Sequence, residues 1–223
     1  MNWKLFAVLG TGVALMGADN DAASRLQAAN QSFIDVMGTP DKTIPQDLLG
    51  KAQCIVIVPG LKKGAFIVGA KYGKGFVACR HNDGLGWTAP AAVRVEGGSF
   101  GFQIGGAETD VFMLVMNRKG MDRLLSTKFT LGADASVAAG PVGRTTQAET
   151  DAAMTAEILT WSRSRGIFAG ISLSGATLRE DTDWNTELYG RKLPNKEIIM
   201  TGIPAPEAAA SLMAELNRYS SRK

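Results

Sequence analysis

The stretch Ala91-Ala-Val-Arg-Val-Glu-Gly-Gly-Ser-Phe-Gly-Phe-Gln-Ile-Gly-Gly106 constrains the fold most strongly. Val93, Val95, Phe100, Phe102 and Ile104 fall at every second residue, the period of a strand with one face buried. A helix cannot satisfy that spacing. Glycine inside strands marks bulges, bends or close backbone approach. Of the 223 residues 26 are glycine, roughly 12% against an average near 7%. The excess lies in β-type segments, which predicts a strongly curved sheet, a surface-presenting scaffold in place of a catalytic pocket.

A chain of 223 residues with 45% hydrophobic content can bury one good core. The formal charge is +3 and the basic residues are dispersed, so nucleic acid is not an expected partner. Residues 1–18 read as an export signal, with Lys4 in the n-region and Leu5 to Met16 as the apolar stretch. The alternative is an N-terminal helix docked on the core or a membrane. No cysteine lies near the cleavage region, so lipoprotein processing is not indicated. Cys54 and Cys79 each fall in an apolar strand. Export permits a bridge between them, and two buried free thiols are equally compatible with the pattern.

Residues 19–43 hold the N-terminal helix. Within it Leu26, Ala29, Phe33 and Met37 recur at helical spacing, and Thr39-Pro40 stops the run. Ile44-Pro45 opens a short second helix ending near Gly50. Cys54 to Val58 is a buried strand closed by Pro59-Gly60, and Gly73-Lys74 suggests a hairpin turn between Ala65–Tyr72 and Gly75–Arg80. Strands are expected at Trp87–Glu96, Val111–Met116, Phe129–Ala139, Ile158–Arg163 and Gly166–Leu178. Asn117 caps a brief helix, and Pro206 to Tyr219 forms a C-terminal one. The fold class is α+β: a curved, glycine-rich, mainly antiparallel sheet or partial barrel with helices at both ends.

Gly97-Gly-Ser99-Phe-Gly101 matches G-x-S-x-G, yet Ser99 is followed by strand alternation where a nucleophile elbow needs a helix. The one histidine, His81, precedes it. A β-bulge at this glycine run is the better reading, and no enzymatic activity is expected. Asp181-Thr-Asp183-Trp-Asn185 opens like a calcium loop, but Thr186 replaces the glycine and Lys192 the bidentate glutamate. A capped turn is preferred. No phosphate-binding glycine loop fits, and no metal or cofactor is expected. What remains is a set of basic residues at turns: Lys62, Lys63, Lys71, Lys74, Arg80, Arg118, Lys119, Arg144, Arg163 and Arg165. With free amides at glycine-rich turns they supply the chemistry that holds a phosphate head group. Arg163 and Arg165 share one face of a strand.

Trp87-Thr-Ala-Pro90, Gly97-Gly-Ser-Phe-Gly101, Gln103-Ile-Gly105, Leu131-Gly-Ala-Asp-Ala-Ser136, Gly140-Pro-Val-Gly-Arg144, Ser162-Arg-Ser-Arg-Gly-Ile-Phe-Ala-Gly170 and Tyr189-Gly190 follow one another in order. Together they resemble the SYLF domain, the lipid-binding module also called the Ysc84-type actin-binding domain. The match runs from about Ile44 to Gly202, within a domain assigned to 44–223. The resemblance implies binding of acidic phospholipids, phosphoinositides in eukaryotic members, without catalysis. There an amphipathic N-terminal helix contributes to membrane contact and an SH3 domain often follows. Expected export, with no SH3-like segment in these residues, makes actin a poor candidate partner. It points instead to periplasmic or secreted protein held peripherally on anionic lipid such as phosphatidylglycerol or cardiolipin. The competing expectation is an envelope structural module whose sheet meets a protein, and a hydrolase using Ser99 comes third.

Overall fold

Asp21 accepts a hydrogen bond from the Ser24 amide at 2.6 Å and so caps the first helix, α1, Ala22–Met37. A computed structural model of the chain describes residues 21–39, 43–65, 68–100, 107–142, 155–164, 167–171 and 173–220. The expected leader, Arg144, Arg165, Gly101 and Gly105 lie outside them. After α1 come α2 (Gln46–Lys51), β1 (Cys54–Ala65), β2 (Val68–Cys79), β3 (Ala91–Phe100) and β4 (Ala107–Val115). Next are α3 (Arg118–Leu124), β5 (Lys128–Thr130), β6 (Val137–Ala139), β7 (Ile158–Ser164), β8 (Ile167–Gly170) and β9 (Thr177–Glu180). The chain closes with α4 (Thr182–Tyr189), α5 (Asn195–Met200), a 3-10 turn at Glu207–Ala209 and α6 (Ala210–Ser220).

The strands form one curled, open sheet in the order β5-β9-β3-β2-β1-β4-β7-β6, with β8 also paired to β7. All pairs are antiparallel except β6 with β7. The central strands are apolar on both faces because both are covered. Ile55, Ile57, Phe76, Phe112 and Trp161 meet α1, α4 and α6 on one face. Val56, Val77, Val93, Val111 and Met113 meet α3 and α5 on the other. The α+β fold with terminal helices is as the alternation and the helical spacings predict.

Several local expectations are corrected. Pro59-Gly60 does not close β1; the strand continues through an irregularity in register between Ile57 and Lys62. Gly60 there takes φ 57° and donates its amide to Asp110 Oδ1 at 2.9 Å. Nor do Gly73 and Lys74 form a turn: β2 runs straight through them. Lacking side chains, Gly73 and Gly75 let β2 lie close against this kink. The bulge expected at Gly97-Gly98 is absent, since β3 keeps regular register with β2 from Ala91 to Phe100. Ser99 sits opposite Gly69 in that ladder, not on an elbow. The strand expected over Gly166–Leu178 is divided: β8 pairs with β7, while β9 begins only at Thr177 and lies between β3 and β5. The α5 helix has no counterpart in the sequence reading.

Cys54 and Cys79 are bonded to each other, directly opposite in the β1–β2 ladder and fully buried. Asp181 is a helix cap, accepting from the Trp184 amide at 3.2 Å, and its other oxygen is 2.8 Å from the Lys74 ammonium. Its carboxylate is thus engaged by the protein, as the capped-turn reading predicts.

Candidate functional site

The kink in β1 decides where the expected basic residues go. Before it Ile55 and Ile57 face α1, while after it Leu61 joins the opposite core, so Lys62 emerges on the α1 side and Lys63 on the other. Lys62 stands opposite Tyr72, and Lys63 stands opposite Lys71. All three lysines therefore gather at the end of the sheet where β1 turns into β2. Lys62 is largely exposed and only loosely paired with Glu108, at 3.7 Å. Burial, then the charge of Lys71 opposite, push the Lys63 ammonium below the ordinary lysine range. Its charged form costs stability at neutral pH. That cost is relieved as pH rises through the folded value, or when an anion approaches.

A groove of about 330 Å³ opens beside Lys62, between α1 and β2. Arg25 and Lys74 line it with Tyr72 and Trp184. Arg25 Nη1 donates to the Pro59 carbonyl at 3.1 Å, and Lys74 lies 4.2 Å above the Trp184 ring. Cations and aromatic faces are thereby concentrated in a single cleft, with the buried Asp181 carboxylate 2.8 Å behind the Lys74 ammonium.

The same end of the sheet exposes apolar surface. Ser164 stands opposite Ile167 and its hydroxyl donates to the Glu108 carbonyl, which places the start of β8 level with Lys62. Ile167 is 71% exposed and Tyr72 47%. Sequence reasoning passed over both. The signal for Ile167 is an apolar residue directly after the polar run Ser162-Arg-Ser-Arg-Gly166.

The other expected residues do not join this cluster. Arg80 is buried; its guanidinium donates to the Leu49 carbonyl at 3.2 Å and stacks 3.9 Å over Trp87. Arg163 bridges Asp35 of α1 at 2.8 Å and Asp110 of β4 at 3.5 Å. Arg118 and Lys119 begin α3, at the opposite end of the sheet, and line a second groove of about 710 Å³. Lys119 there sits 3.4 Å from Glu157, which also holds Arg123 at 2.9 Å.

The α1 face that carries Leu26, Phe33 and Met37 is unavailable for the membrane contact that the resemblance attaches to an N-terminal helix. Leu26 and Phe33 are fully buried and Met37 nearly so, packed with the sheet and α6. No helix among the described residues is long and apolar enough to cross a membrane.

An α+β module built on a curled sheet, with cations and exposed apolar side chains at one end, is the class these features define. Residues 96–219 match the family described as Ysc84, Las17-binding protein actin regulator, and the chain belongs to that family. It is 33% identical over 184 residues to the rat SH3 domain-containing YSC84-like protein 1, covering 82% of this chain and 54% of that one. Over 192 residues it is 35% identical to the SH3 domain-containing protein PJ696.02 of Schizosaccharomyces pombe, covering 83% and 44%. Protein YSC84 of Saccharomyces cerevisiae is 33% identical over 177 residues, covering 78% and 37%. The chain spans about half the length of these curated relatives, or less.

Proposed function

We propose that this chain is a non-enzymatic module that binds anionic phospholipid at a membrane surface through the β1–β2 end of its sheet, and that it does so as an exported, peripheral protein. The observation that carries the reading is the grouping of Lys62, Lys63 and Lys71 with exposed Tyr72 and Ile167. Each lysine near an anionic surface contributes about 1 kcal/mol, fading over a Debye length. Three give about 3 kcal/mol, which alone is weak. Insertion of Ile167 adds about 1.5 kcal/mol or more. With α1 committed to the core, these exposed side chains take over the apolar part of the contact.

The test is co-sedimentation with phosphatidylglycerol and with phosphatidylcholine vesicles across a salt series. Wild type is expected to prefer phosphatidylglycerol and to be released as salt rises. Replacing Lys62, Lys63 and Lys71 together by glutamine should weaken binding on the order of 100-fold. Ile167→Ser should weaken binding without changing the salt dependence. Lys71→Gln alone should raise folding stability by about 0.5 kcal/mol, because like charges directly opposite in a ladder repel. Equal binding to both lipids would defeat the reading. The family's description as Las17-binding favours a second one, in which the same end meets a protein partner. That reading predicts no vesicle binding, together with capture of a folded partner that the lysine variant loses.

A further inference from the structure

Four basic residues stand abreast on four neighbouring strands. Lys74 of β2 is opposite Arg94 of β3, Arg94 is opposite Arg179 of β9, and Arg179 is opposite Lys128 of β5. Residues directly opposite in a ladder share a face, so this is one row, about 14 Å long at the usual strand spacing. Like charges so placed destabilise a sheet, and three successive pairs do so here. Compensation is incomplete. Asp181 answers Lys74, and a single carboxylate, Glu96, answers both arginines, at 3.0 Å from Arg94 Nε and 3.2 Å from Arg179 Nε. These are ion-pair distances, yet the N–H directions miss, and both buried Nε atoms are left without a hydrogen-bond acceptor. Among the described residues no carboxylate pairs with Lys128. The adjoining row carries Thr177 and Thr130 beside Glu96, and neither hydroxyl makes a hydrogen bond among the described residues. About a third of each arginine side chain remains open to solvent.

We propose that Lys74, Arg94, Arg179 and Lys128, with Thr177 and Thr130, form a second anion site that takes phosphate oxygens on the face of the sheet that carries α4. Guanidinium forks and hydroxyls match several oxygens at once, as an extended phosphate ligand presents them. Glu96 acts as an internal stand-in that a stronger anion displaces. The site uses none of the hairpin lysines and does not rest on the membrane reading.

The probe is tripolyphosphate, titrated calorimetrically at low ionic strength into the full chain. Wild type is expected to bind saturably with one ligand per chain. Glu96→Gln should bind about tenfold tighter, since the competing carboxylate is gone, and Arg94→Gln/Arg179→Gln about tenfold weaker or worse. Lys63→Gln/Lys71→Gln should bind as wild type does. Circular dichroism checks that the double arginine variant folds, and the Glu96→Gln arm decides the matter if it does not. Phosphatidylglycerol vesicles separate the sources of phosphate. Loss of vesicle binding in the arginine variant assigns the site to a lipid headgroup, and unchanged vesicle binding assigns it to a soluble phosphate. No saturable binding by wild type and Glu96→Gln would overturn the proposal, as would an equal loss in the hairpin-lysine variant.

Discussion

Gly75→Val is expected to lower the thermal unfolding midpoint by about 6–12 °C, from a loss of about 3 kcal/mol or more. A Cβ at this position would lie 2.1 Å from the Ile57 carbonyl oxygen and 2.7 Å from Val58 Cα. Both are backbone atoms of β1, next to its kink, and they cannot yield without shifting the strand that carries Cys54 and Lys62. The position is therefore closed even to alanine. Gly73 is the milder neighbour, because its nearest obstacles are the Leu61 Cδ1 and Val58 Cγ1 side-chain tips at 2.8 and 2.9 Å. Gly50, where an added Cβ meets nothing within 4 Å, is the matched control. Alanine there should leave the midpoint unchanged or raise it. A Gly75→Val protein that melts with the wild type would mean that β2 does not approach the kink so closely.

Asn185→Leu should cost about 4 kcal/mol in chemical denaturation, by stranding several buried polar groups at once. Asn185 is fully buried. Its Oδ1 accepts from the Ala92 amide at 2.7 Å, and its Nδ2 donates to the Leu193 carbonyl at 2.9 Å and to Asn195 Oδ1 at 2.7 Å. Asn195 Nδ2 in turn donates to the Ala92 carbonyl at 3.0 Å. Two asparagines thus tie α4 and the start of α5 to the edge of β3, with Tyr189 adding a bond to the Pro90 carbonyl at 2.6 Å. Burial pushes the Tyr189 phenol well above its ordinary range, which keeps it a donor. Because the amides form one unit, Asn185→Leu with Asn195→Leu should cost clearly less than the sum of the single changes. A loss below about 1 kcal/mol for Asn185→Leu would show that the network does not hold these elements.

The fold class was legible because its causes are periodic. Val93 and Val95 alternate, Leu26, Ala29 and Phe33 repeat at helical spacing, and Asp181 and Asn117 each precede a helix they cap. Glycine was harder to interpret, since a turn and a close backbone approach use the same residue. That ambiguity made Gly73-Lys74 resemble a hairpin and hid the continuation of β1 beyond Gly60. Site assembly was illegible for a different reason: register between strands is not written in either strand alone. Nothing local to Arg94 or Arg179 announces that they stand side by side, or that Lys63 meets Lys71. The asparagine pair is hidden likewise, because its partners on β3 lie about a hundred residues away in sequence.

The bond between Cys54 and Cys79 joins two residues that their ladder already holds face to face. It therefore adds little to the native contacts, and its weight falls on the unfolded chain. There it closes a loop of 25 residues, worth about 3.5 kcal/mol in the chain-entropy account. Oxidised and reduced chains accordingly share one shape and differ in how long they keep it. The sulfur pair records the conditions under which the chain folded, in a form that lifetime reveals and shape conceals.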